Sequence, residues 1–123
     1  MLDHLGIQCE DVATSASFYD AFLAPIGATR ILDYEVAIGF GNDGKPDFWL
    51  GVLAEGSVNR PIHVAFVAPD RAHVRACFDA AVAVGAEVLH EPRVFPEYHP
   101  NYYGTFVRDP DGNNVEVCSH LPE

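Results

Sequence analysis

The chain repeats itself, and that limits what it can fold into more than any other feature. His4-Leu5-Gly6-Ile7 near the start returns as His63-Val64-Ala65-Phe66, 59 residues later. Phe18-Tyr19-Asp20-Ala21 is echoed by Phe78-Asp79-Ala80-Ala81 at an offset of 60, and Gly27-Ala28 by Gly85-Ala86 at an offset of 58. Three landmarks in one order, with a spacing constant to within a residue, mark two copies of a single structural unit. The segment Ala54–Pro61, which contains Gly56, Ser57, Asn59 and Pro61, has the composition of a linker. The chain therefore divides into module 1–58 and module 59–123 of one domain.

Each copy has the same pattern of elements. Asp3–Cys9 alternates Leu5, Ile7 and Cys9 with His4, Gly6 and Gln8, as a strand with one polar face does. Asp11 is a plausible N-cap, and Val12, Ser15/Ala16, Tyr19, Phe22/Leu23 and Ile26 recur at helical spacing before Gly27. Thr29–Glu35, Val36–Gly41 and Phe48–Leu53 follow as short strands, with Asn42-Asp43-Gly44 as a turn. In the second half Ile62–Ala68 is a strand, and Asp70 caps a helix whose inner face is Val74, Phe78, Ala81 and Val82. Gly85 stops that helix. Glu87–His90, Tyr103–Arg108 and Asn114–Ser119 complete the copy, with Asp109-Pro110-Asp111-Gly112 turning between the last two. Two tandem βαβββ modules make an α+β fold, and the lack of regular β/α alternation argues against a doubly wound sheet.

Composition narrows the function. With 123 residues, 49% of them hydrophobic, the chain can build a core without disulfides or structural metals. No apolar run approaches the ~20 residues of a membrane span, and Met1-Leu2-Asp3-His4 opens no secretory signal. Eighteen acidic against seven basic residues give a net charge of −11, which repels phosphate backbones and anionic lipid. Nucleic acid and membrane are therefore not expected partners. Cys9, Cys77 and Cys118 are odd in number and widely spaced, which fits a reducing, cytoplasmic setting.

Two histidines, His4 and His63, occupy equivalent points on the first strands. If the copies pack about a pseudo-twofold axis, their imidazoles can meet at one point. Glu116 lies between Val115 and Val117 and so faces away from the side they bury. A carboxylate there is costly to bury unless it is paired or bound to metal. Two neutral imidazoles and one carboxylate suit a divalent first-row metal and leave positions open for substrate or water. Trp49, Tyr102, Tyr103, Phe106 and Asn114 are candidates to line a substrate pocket, and His99 could shuttle a proton. Cys118 shares the parity of Glu116.

The two βαβββ copies, the two histidine-led strands and the run Asp109-Pro110-Asp111-Gly112-Asn113-Asn114-Val115-Glu116 resemble the vicinal oxygen chelate superfamily. That superfamily includes glyoxalase I, extradiol dioxygenases, fosfomycin-resistance proteins and bleomycin-resistance proteins. The resemblance covers essentially the whole chain. It implies a curved sheet around one divalent metal (Zn, Ni, Mn or Fe) held by His4, His63 and Glu116, with Glu116 also catalytic. The fourth position of the glyoxalase I pattern falls near Phe48-Trp49-Leu50-Gly51, where no carboxylate or histidine stands. The implied activity is that of a metal-dependent, glyoxalase-like lyase or isomerase acting on a small molecule with neighbouring oxygens. The alternatives are a dioxygenase or an antibiotic-binding resistance protein. Relatives of this kind are often homodimers, sometimes with modules exchanged between chains.

Overall fold

Alternating apolar residues build two sheets of one design. The computed structural model describes residues 1–123, with β1 (Leu5–Cys9), α1 (Val12–Leu23), β2 (Thr29–Asp33), β3 (Ala37–Gly41) and β4 (Phe48–Val52) in the first module. The second module holds β5 (His63–Val67), α2 (Arg71–Ala83), β6 (Val88–Val94), β7 (Tyr103–Arg108) and β8 (Asn114–Ser119). The strand orders β1-β4-β3-β2 and β5-β8-β7-β6 are the same order repeated. In each sheet the first strand pairs parallel to the last, and the other pairings are antiparallel. This is the two-module α+β architecture expected from the repeat.

Both helices begin where an aspartate can take up their free N–H groups. The Asp11 side chain accepts from the amides of Ala13 and Thr14, and that of Asp70 from the amide of His73. Helix α1 ends at Leu23, earlier than the apolar spacing predicts. Pro25 allows only a 3-10 turn over Ala24–Ile26 before Gly27 reverses the chain at φ +84°. The inner face of α2 is Val74, Cys77 and Ala81, with Phe78 half-buried, whereas Val82 points outward and is about half exposed. Strand β2 stops at Asp33 instead of Glu35, because the Asp33 carboxylate takes the Glu35 amide and Glu35 adopts φ +67°. Strand β6 runs on to Val94, past Pro92, by register shifts.

Helices and sheets enclose one core of 19 buried residues contributed by both modules, including Tyr19, Phe22, Phe40, Phe48 and Leu50 from the first and Val74, Val107, Val115 and Val117 from the second. The modules are also tied together by hydrogen bonds. Asp109, in the β7–β8 turn, accepts from the Tyr19 hydroxyl (2.6 Å), the amides of Asp111 and Asn113, and the Asn113 side chain. The Asp111 carboxylate accepts from Ser15 Oγ and the Glu10 amide. The acidic turn of the second module is thus fastened to the first helix, and each module keeps one sheet face free of helices.

Candidate functional site

Parity decides what the helix-free face of the second sheet displays. Because β7 and β8 pair with Phe106 opposite Glu116 and Gly104 opposite Cys118, one face carries Asn114, Glu116, Cys118, Gly104 and Phe106. The other face carries Val115, Val117, Thr105 and Val107, all buried in the core. Glu116 is only 1% exposed. Far from lying on a solvent face, its carboxylate is enclosed and its oxygens are partnered. Oε2 accepts a short hydrogen bond from the Tyr102 hydroxyl, and Oε1 stands 3.1 Å from Nε2 of His63. Burial and this carboxylate together push the Tyr102 phenol upward, burial being the larger cause.

The His63 ring is fixed from three sides. Its Nδ1 lies 3.0 Å from the Asn114 carbonyl oxygen. A carbonyl only accepts, so the Nδ1 proton is donated to it. Phe106 lies nearly parallel to the ring, 5.8 Å away at 18°. In the neutral tautomer Nε2 then carries a bare lone pair aimed at a carboxylate oxygen. Two lone pairs at 3.1 Å repel, so the geometry calls for a positive charge between them, either a proton on Nε2 or a metal cation. Asn114 contributes a second unmet need, since its side-chain Oδ1 is buried without a donor.

Aromatic residues wall this pair. Phe106 touches His90 and Phe95, Phe95 stacks on Tyr98 at 5.5 Å and 9°, and Tyr98 meets Tyr102 edge-on. His99 does not reach Glu116. Its Nε2 lies 2.8 Å from Nδ1 of His120, and its ring packs against Tyr102. His120 is the functional candidate that sequence reading passed over. It continues the Asn114, Glu116, Cys118 parity by one step beyond the end of β8, which is the signal that could have found it.

Other expected residues lie elsewhere. Tyr103 is a correction to the pocket reading. It has the opposite parity to Phe106 and Tyr102, and its ring lies under the guanidinium groups of Arg71 (5.0 Å) and Arg75 (5.9 Å) on the helix side. Trp49 lies half-buried on the helix-free face of the first sheet, parallel to Tyr34. There Gly39 leaves room for it, because a Cβ would come within 2.9 Å of the indole. His4 pairs with Asp3 at 2.8 Å and lies in a groove with Lys45, Asp47 and Val64–Val67. Within one chain the two imidazoles do not meet, and no group of three His, Cys, Asp or Glu side chains is placed to hold a metal ion. His63 and Glu116 are the two expected ligands that the structure brings together.

A pair of βαβββ modules that share one core, each with an open sheet face, defines a glyoxalase-fold protein. The family model of the Glyoxalase/Bleomycin resistance protein/Dioxygenase superfamily matches residues 1–117, and the chain belongs to that superfamily. Among solved structures it is similar to a glyoxalase/bleomycin resistance protein from Albidiferax ferrireducens (TM-score 0.85, 22% identity, 97% of this chain and 98% of that one). It is also similar to a glyoxalase-related enzyme from Fulvimarina pelagi (TM-score 0.74, 17% identity, 97% and 87%) and to lactoylglutathione lyase from Agrobacterium tumefaciens (TM-score 0.68, 22% identity, 97% and 92%). At these identities the likeness is one of fold. No curated protein matches by sequence. No helix is long and apolar enough to cross a membrane.

Proposed function

We propose that this protein is a divalent-metal-dependent enzyme of the glyoxalase type, a lyase or isomerase for a small molecule with two neighbouring oxygens. His63 and Glu116 of one chain, with His4 from a second copy, hold the metal. The observation that carries this reading is the 3.1 Å approach of the bare His63 Nε2 to Glu116 Oε1, a geometry that asks for a cation. A zinc, nickel, manganese or iron(II) ion bound there would supply Lewis acidity toward the two substrate oxygens.

The chain's own residues do the positioning. Tyr102 keeps Oε2 of Glu116 engaged and so leaves Oε1 facing His63. The Asn114 carbonyl fixes the histidine tautomer, and Phe106 holds the ring in plane. The His4 side chain is 58% exposed in its own chain, free to serve a neighbour.

A second reading has its own observation. A proton on His63 Nε2 satisfies the pair as well as a metal does, and the exposed Tyr98 and half-buried Tyr102 beside it would then bind a drug or metabolite without turnover. Elemental analysis of protein purified without chelators or affinity tags separates the two. The enzyme reading expects about one first-row metal per site, lost in His63→Ala and in Glu116→Gln. No bound metal, and no uptake from micromolar Zn(II), Mn(II), Ni(II) or Fe(II), overturns it in favour of the binder. Iron in the native protein would direct substrate tests toward ring-cleaving oxygenation.

A further inference from the structure

The segment from Phe95 to Tyr102 crosses the helix-free face as a strap. It is closed on itself by backbone bonds from the Phe95 amide to the Tyr102 carbonyl (2.7 Å), from the Tyr98 and His99 amides to the Phe95 carbonyl, and from the Tyr102 amide to the His99 carbonyl. It brings Tyr102 to Glu116 and Tyr98 to the aromatic wall. Its side-chain tie to the tail of β8 is the bridge from His99 to His120.

The proton positions in that bridge follow from its neighbours. The Asn101 amide donates to Nδ1 of His99 at 3.1 Å, so that nitrogen is an acceptor and the His99 proton is on Nε2. Nε2–H then donates to Nδ1 of His120, whose own proton is on its Nε2, directed at Cys118 Sγ 4.0 Å away. Two ring protons satisfy every contact, and this is the only arrangement that does. A third proton has nowhere to go. On His120 Nδ1 it meets the His99 N–H; moved across to His99 Nδ1, it meets the Asn101 N–H. Either position replaces a hydrogen bond with two opposed donors.

We propose that the His99–His120 bridge is a latch released by acid, and that His120 is the positioning residue that keeps the strap, and with it Tyr102, seated over Glu116. The groups facing the two rings are the Cys118 thiol from β8, the Tyr102 phenol at the entrance to β7 and the Asn101 amide. No carboxylate lies within ion-pair distance of either ring, in contrast to His4, His63 and His73. Nothing nearby therefore rewards a protonated ring for staying in place. Proton uptake favours the unlatched strap, and the enclosed Glu116 carboxylate, beside the already half-exposed His63, becomes open to solvent as pH falls.

The test uses the full chain without added metal, so its outcome is separate from that of the metal analysis. Nitrogen-15 NMR is recorded at about pH 8 and about pH 5, on either side of the range where imidazoles titrate. At the higher pH both rings show the proton on Nε2. At the lower pH, exchange protection of the Phe95 and Asn101 amides, corrected for the intrinsic rate, falls about tenfold or more while the β7–β8 ladder stays protected. In the double variant His99→Gln/His120→Gln the protection does not change between the two conditions. Equal protection at both pH values in the wild type, or a pH dependence that survives in the double variant, overturns the proposal. If the double variant does not fold, the wild type decides by itself. Loss of Phe95 protection must share its midpoint with protonation of the two rings, and separate midpoints reject the latch.

Discussion

A carboxylate with almost no exposure is the residue on which the site turns. Glu116 tolerates burial because a phenol and an imidazole occupy its two oxygens. Tyr102→Phe should cost about 1–3 kcal/mol, the range for a buried acceptor deprived of its donor, measured as a lowered denaturant midpoint at an unchanged slope. The special position of Glu116 was legible because two valines flank it. That Tyr102 belongs to its face and Tyr103 does not was less so, since parity becomes meaningful only once a register is known. Nothing local says that Phe106, and not Val107, stands opposite Glu116. His120 was missed for a related reason: it lies one step past the strand, where alternation is no longer expected to hold.

Among the elements, the β7–β8 turn does more than reverse the chain. Asp-Pro-Asp-Gly reads as a turn on composition alone, but the structure uses its two carboxylates to grip helix α1 of the other module. Tyr19→Phe should destabilise the fold by about 1–3 kcal/mol by leaving Asp109 short of a donor. Phe22→Ala, which empties the core beneath the same helix, should cost about 3–5 kcal/mol. Urea titrations of both variants would check the order. The helices and most strands were legible from periodicity and caps. The extension of β6 past Pro92 was not, because a proline usually marks the end of a strand and here a shifted register absorbs it. The apolar stripe of α2 is completed by Cys77, an apolar side chain in practice, and this turns Val82 outward although its spacing from Phe78 places it on the inner face.

At the scale of the molecule, the repeat gave the architecture but not the way the copies meet. Equivalent residues of two modules need not converge, and in one chain His4 and His63 do not. Completion of the proposed site by a second copy predicts complementation. His4→Ala and His63→Ala homodimers should each lack metal, whereas chains mixed, unfolded and refolded together should recover about a quarter of the wild-type content, since half the dimers are mixed and each mixed dimer restores one of two sites. Recovery no greater than the average of the two parents would rule out shared sites. Stability should also decline on the alkaline side. Burial raises the Cys9 thiol to about 11 and the Cys77 thiol to about 12, and raises the Tyr19 phenol as well. For groups whose folded values lie above their unfolded ones, the contribution is complete below the unfolded value, about 8.5 for a thiol, and is lost as pH climbs toward the folded one. Thermal midpoints at rising pH would show it, and both thiols should resist alkylation near neutrality until the protein unfolds.

The two helix-free faces, built from one repeated plan, have diverged in what they carry. The second concentrates Glu116, His63, Tyr102 and the histidine bridge; the first offers His4, Gly6, Gln8, Gly51 and a single indole resting on Gly39. A duplicated unit need not do the same job twice. Outside His4, the first module lends nothing to the buried carboxylate, so a substitution around Trp49 reshapes one face while Glu116 keeps its contacts with Tyr102 and His63 on the other.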